Sequence, residues 1–194
     1  EYPALKPDVN FLQSTYIKEA IQAFLAKHHI TKTDNVLVSI PGQFVLSRFT
    51  TVPPVDKKQL KHIVTYEAKQ QIPFDLKDIV WDYQQLSEQV PATEGIGIEI
   101  GLFASKRTTL DQILTNIVSL KPGLTALQVS PLAISNLIFF DRQVDGPSII
   151  INTEAENTDI VIIDGLHLWL RSITLSAVDA DLVKEIQRSM EYYK

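Results

Sequence analysis

The spacing of apolar residues changes repeatedly along the chain, and each change predicts an element. Tyr16, Ile17, Ala20, Ile21, Phe24 and Leu25 recur at helical intervals. Ser14 or Thr15 can cap that helix by accepting a free backbone N–H. Lys27, His28 and His29 fall in its last turn, where positive charge suits the helix end. Residues 35–40 then read as a buried strand, Pro41 and Gly42 break it, and residues 44–51 read as a second strand. Two prolines lead into a well-marked helix. Asp56 is its predicted N-cap, Gln59 completes a capping box, and Val55 and Leu60 are placed for a hydrophobic staple. Leu60, Ile63, Val64 and Ala68 form the inner face, and Pro73 ends the helix.

From residue 79 onward strands dominate at first. Residues 79–86 predict a strand with Trp81 and Tyr83 on one side and Val80 and Asp82 on the other. Residues 87–94 read as a polar, hairpin-like connection. Ile96, Ile98, Ile100 and Leu102 alternate, as in a strand buried on one face. Leu110, Ile113, Leu114, Ile117 and Val118 return to helical spacing. A strand over 124–129, a helix over 131–139 and a turn-rich stretch over 141–147 follow. Two apolar runs, 149–151 and 160–163, flank a short polar turn. Residues 168–173 predict a third strand in meander order, and 178–193 a final helix with Leu182, Val183, Ile186 and Met190 inward. The mixture predicts an α/β or α+β class.

Composition narrows the function more than it names it. The chain has 194 residues, 45% hydrophobic and 21% charged, with net charge −5. That length leaves room for a real core. No basic tract stands out, which argues against nucleic acid as a partner. Cysteine is absent, so disulfide and thiolate chemistry are excluded, and a reducing compartment fits. No apolar run approaches the ~20 residues of a membrane span. Residues 1–10 carry two prolines, mixed charge and no period, so the chain reads as a piece of something longer. His28, His29, His62 and His167 have no second ligand at i+4 on a helix, which gives a metal site no support.

The turn at 152–158 resembles the second phosphate loop of actin-like nucleotide-binding proteins, an Asp-x-Gly-x-x-x-Thr turn between two strands. Here Asn152 stands at the Asp position and Glu154 at the Gly position, while Thr158 matches. Further segments are similar to the PilM family of type IV pilus assembly proteins. They are 41–49 (PGQFVLSRF), 52–55 (VPPV), 66–74 (YEAKQQIPF), 80–83 (VWDY), 101–107 (GLFASKR), 130–133 (SPLA) and 185–193 (EIQRSMEYY). The resemblance covers most of the chain. It implies an α/β, actin-like ATPase (ribonuclease H-like) fold with an FtsA/PilM-type inserted α+β subdomain, incomplete in this chain. Residues 1–40 would end the first actin-like subdomain, 41–122 form the insert, and 123–194 enter the second half. It also implies ATP, with Mg, in a cleft, and a groove for the cytoplasmic tail of a PilN-like inner-membrane protein. An FtsA-like cell-division role is the alternative, as is a degenerate member that only docks partners; 70–74 and 81–83 favour PilM. The family's first phosphate loop is not in this chain, nor is its usual glycine-containing stretch between Ile173 and Asp181.

Each implied site has a plainer reading beside it. Asn152, Thr153, Glu154 and Thr158 would contact phosphate through backbone N–H groups and the Thr158 hydroxyl; the plain reading is a structural hairpin. Glycine suits such a loop by letting backbone approach the anion, whereas Glu154 and Glu156 bring like charge toward it. Weak ATP hydrolysis, binding without turnover and no binding all stay open. Glu185, Arg188 and Ser189 would touch ribose and adenine, against a surface ion pair at i, i+3. Phe44, Phe49, Tyr66, Ile72 and Phe74 would line the partner groove, against ordinary core packing.

Overall fold

The computed structural model describes residues 15–86, 90–92, 95–118, 123–141, 146–165 and 167–193. In chain order the elements are α1 (Thr15–Lys27), β1 (Val36–Ile40), a 3-10 turn (Gly42–Phe44), β2 (Leu46–Val52), α2 (Lys57–Gln71), β3 (Ile79–Gln85), β4 (Val90–Ala92) and β5 (Gly95–Lys106). Then come α3 (Arg107–Val118), β6 (Leu124–Val129), α4 (Ser130–Phe140), β7 (Ser148–Thr153), β8 (Thr158–Asp164), β9 (His167–Ile173) and α5 (Leu182–Tyr193). The chain divides into two compact units, Glu1–Val38 with Arg107–Gln128 and Ser39–Lys106 with Val129–Lys194. No helix among the described residues is long and apolar enough to cross a membrane.

In the larger unit, β2, β5 and β3 form an antiparallel sheet with β5 central. Strand alternation puts Ile98, Ile100, Leu102 and Ala104 of β5 on one face. They pack with Leu60, Val64 and Ala68 of α2, all buried. The helix starts where its sequence asks, because the Asp56 carboxylate accepts the N–H groups of Lys58 and Gln59 at 2.9 Å each. Trp81 and Tyr83 join that core, while Val80 and Asp82 face the other way and are exposed, as the alternation predicts. The expected connection over 87–94 differs in one respect. Val90–Ala92 pairs with Gly95–Gly97 as a short strand; residues 87–89, 93 and 94 lie outside the described set.

The second sheet, β7-β8-β9, has β8 at its centre. Val161 and Ile163 pack on one side with Val129 and Leu132 at the start of α4, and with Phe49 and Phe103 of the first sheet. Ile160 and Ile162 pack on the other side with Leu182 and Ile186 of α5. A continuous apolar run is the signature of a strand covered on both faces. The final helix begins at Leu182, not at Val178. The Asp179 carboxylate accepts both the N–H (2.5 Å) and the hydroxyl (2.8 Å) of Ser176, and that local turn competes with helix. Its inner face also differs from expectation. Val183 is 63% exposed, whereas Ser189 is fully buried.

The smaller unit contains α1, α3 and the two-stranded β1-β6 sheet. Ile21 and Leu25 are half-buried, but Phe24 stays exposed and lies against the His28 ring at 4.4 Å. Helix α1 ends as His29 turns into the left-handed region (φ 54), letting Ile30 N–H reach the Leu25 carbonyl. Thr15 opens the helix, and Ser14 lies outside the described residues.

Candidate functional site

The polar turn is a tight hairpin loop. Asn152 pairs with Asp159 and Thr153 with Thr158 in the β7–β8 ladder. Glu154 N–H donates to the Asn157 carbonyl at 2.7 Å and closes the loop. Thr153, Glu154 and Glu156 are exposed, and the Asn152 side chain lies at a long 3.5 Å from the Glu154 carboxylate. Thr158 is fully buried, and its hydroxyl donates to the Leu175 carbonyl at 2.7 Å. The tip therefore presents two carboxylates, with one backbone N–H and one hydroxyl engaged inside the protein. The structure brings Asn152, Thr153, Glu154 and Thr158 together, in a setting whose exposed charge opposes an anion.

Just behind the turn is a polar cluster that sequence reasoning missed. Asp159 is fully buried and accepts hydroxyls from Ser130 at 2.9 Å and Ser172 at 2.5 Å. It thereby ties β8 to β9 and to the first turn of α4. Gly42 packs directly on this cluster. A Cβ there would collide with the Ser172 hydroxyl and the Asp159 carboxylate, so only glycine fits. The one sequence signal was an Asp opening an otherwise apolar strand.

Glu185, Arg188 and Ser189 do meet on one face of α5, and Arg171 of β9 completes the group. Arg171 reaches the Glu185 carboxylate at 3.0 Å and the Ser189 hydroxyl at 3.2 Å. Arg188 pairs with the other oxygen of Glu185, and the Ser189 hydroxyl bonds back to the Glu185 carbonyl at 2.7 Å. The ion pair read along the helix is thus one edge of a network crossing to the sheet. Arg171 was visible in sequence only as a lone charge in an apolar strand. Beside the network is a cleft of about 670 Å³ lined by Arg171, Thr174, Asp181, Lys184, Glu185 and Arg188.

The five aromatic and apolar candidates scatter over both sides of the first sheet. Ile72 is 3% exposed and belongs to the core under α2. Tyr66 and Phe74 are exposed, and the Lys106 ammonium sits 5.4 Å from the Phe74 ring centre. Phe49 meets Phe103 edge-to-face at 6.2 Å on the opposite face of the sheet. Gly101, paired across from Phe49, makes room for those rings, since a Cβ would come within 2.9 Å of Phe103. Phe44 is half-buried, and its carbonyl is held by the Ser105 hydroxyl at 2.7 Å.

The same face of β5 carries Glu99, only 8% exposed, bonded to His167 at the start of β9 at 3.0 Å. Burial pushes the Glu99 carboxyl above its ordinary range, and His167 partly opposes the rise.

No protein-family model matches the sequence, and no curated protein resembles it closely enough to count as a relative. The fold has a solved counterpart. A chain of a PilM-PilN type IV pilus biogenesis complex superposes with a TM-score of 0.71 at 22% identity, over 96% of this chain and 56% of that one. The cytoplasmic domain of EpsL, an inner-membrane component of the type II secretion system of Vibrio cholerae, gives 0.48 at 13% identity, over 79% and 56% of the two chains. A Bacteroides thetaiotaomicron protein with an actin-like ATPase fold and unknown function gives 0.46 at 11% identity, over 99% and 68%. The chain thus has the α/β fold expected from its PilM-like, actin-like segments, and it spans 56% of the PilM-PilN complex chain it matches.

Proposed function

We propose that this chain is a PilM-type docking scaffold that holds the short cytoplasmic tail of a PilN-like protein at the cytoplasmic face of the inner membrane. Its setting is a type IV pilus or a related type II secretion system. The observation that carries the reading is the shared fold with a chain from a PilM-PilN complex over 96% of the present chain. The chemistry suits a binding role. Strand β3 is an edge of its sheet, and Tyr66 and Phe74 expose aromatic surface. An extended tail adding to such an edge gains main-chain hydrogen bonds, with pockets for its apolar side chains.

Nucleotide enters this proposal as a modulator and not as a substrate. Glu154 and Glu156 place like charge where phosphate would lie, and the Thr158 hydroxyl is already bonded to Leu175. If Mg-ATP binds, the cleft beside Arg171 and Lys184 is the more suitable place, and its effect is a shift between conformations of the scaffold.

The test is calorimetric titration of the protein with a synthetic PilN-like tail, with and without Mg-ATP. The tail is expected to bind in both conditions. Tyr66→Ala and Phe74→Ala are expected to weaken it about tenfold each, as loss of an aromatic anchor does. A folded protein that ignores the tail under both conditions would overturn the proposal.

A further inference from the structure

A second surface of the larger unit, which shares Arg171 and Arg188 with the cleft above, lies apart from the β3 edge offered to the tail. Strand β2 pairs only with β5, and β9 pairs only with β8 among the described residues. Each therefore keeps one unpaired edge. A groove of about 800 Å³ runs between them, lined by residues 45–49 of one strand region and 169–172 of the other. The groove is both cationic and aromatic. Arg48, Arg171 and Arg188 line it together with Phe49, Trp169 and Tyr192, and no carboxylate does. Glu185 behind it neutralises part of the Arg171 and Arg188 charge. Arg48 is exposed, and among the described residues it bonds to the neighbouring Ser47 carbonyl, at 2.9 Å. The Ser47 hydroxyl oxygen is buried and has no partner among the described residues. Tyr192 is 80% exposed, with its ring 6.2 Å from that of Trp169.

We infer that this groove docks an extended, acidic peptide segment of a partner protein, separate from the PilN-like tail and independent of it. Two features select this occupant. Unpaired strand edges offer backbone groups to an extended chain and not to a compact anion. Excess guanidinium charge beside aromatic faces suits carboxylates alternating with apolar side chains, with Arg48 free to make the bidentate contact.

The experiment uses the full chain and fluorescence anisotropy. The probe is a fluorescein-labelled octapeptide of alternating glutamate and leucine, and the control is its lysine–leucine counterpart. The acidic peptide is expected to bind and the basic one not to. Affinity should fall as salt is raised. Arg48→Glu should weaken binding by about tenfold or more, as loss of a charged interface partner does. Arg48 is exposed, so this variant keeps the fold, which circular dichroism checks. Tyr192→Ala should weaken binding less, and Lys61→Glu on α2, outside the groove, should leave it unchanged. Equal binding of both peptides, an unaffected Arg48→Glu variant, or competition by Mg-ATP with no effect of Arg48→Glu would each overturn the inference. So would a folded protein that binds neither peptide.

Discussion

Strands β5 and β8 are both the centre of an antiparallel sheet, yet they solve burial differently. Strand β5 puts Ile98, Ile100, Leu102 and Ala104 under α2, and on its other face carries Gly97, Glu99, Gly101, Phe103 and Ser105. Strand β8 carries Ile160, Val161, Ile162 and Ile163 without alternation, because both its faces are covered by apolar groups. The lesson concerns what the second face of β5 is for. Phe103 packs there with Val161 and Ile163 of β8, Glu99 bonds His167 of β9, and Gly101 leaves room for the Phe49 and Phe103 rings. A strand that read as half-solvated is in fact buried on both sides, one apolar and one mixed.

The sharpest way to break the comparison is to excavate both strands. Ile100→Ala and Ile160→Ala remove fully buried side chains, and each should cost about 2–5 kcal/mol in chemical denaturation. A near-zero effect at either position would mean that the strand is not buried as described. Next is Gly42→Ala, aimed at the polar end of β8. Its Cβ would strike Ser172 and Asp159, so a loss of about 1–3 kcal/mol is expected. If Ser172→Ala in the same chain does not relieve part of that loss, the contact is not the cause.

Asp56→Ala then loosens the helix over β5 alone. Loss of the two capping bonds should cost about 1 kcal/mol, with amide exchange rising in the first turn of α2 and not in α5.

The smallest effect tests the link between the two strands' sheets. Glu99 is held above its ordinary range by burial, so the folded chain binds that proton more tightly than the unfolded one. Its contribution favours folding below the usual glutamate value and is lost as pH rises through the raised one. His167 opposes the rise, so His167→Gln should push Glu99 higher still. The variant is expected to lose no more than about 1 kcal/mol at pH 7, since His167 is half-exposed, and nothing below about pH 4. A loss of equal size at both pH values would assign His167 a purely steric role.

Most elements were legible in the sequence because their cause is local. The Asp56 cap, the alternation of Trp81 and Tyr83 against Val80 and Asp82, and the unbroken run 160–163 each follow from side chains within a few residues. The final helix was misplaced for a local reason too: the Ser176–Asp179 turn outcompetes helix until Leu182. Its inner face was misjudged because Val183 looked apolar enough to be buried, while Ser189 is what the Arg171 network draws in.

Sequence by itself determined the periodicities, the Asp56 cap, the strand order within each hairpin, and the PilM-like words that led to the fold. Only the tertiary structure decided which polar residues act together. Asp159 with Ser130, Ser172 and Gly42, Arg171 with Glu185, and Glu99 with His167 are separated by 13 to 68 positions where their bonds are measured. No short-range pattern encodes such pairs. Burial of Asp159, Glu99 and Ser189 is what makes each of them require a partner, and Arg171 and His167 reach in from partly exposed positions to supply it.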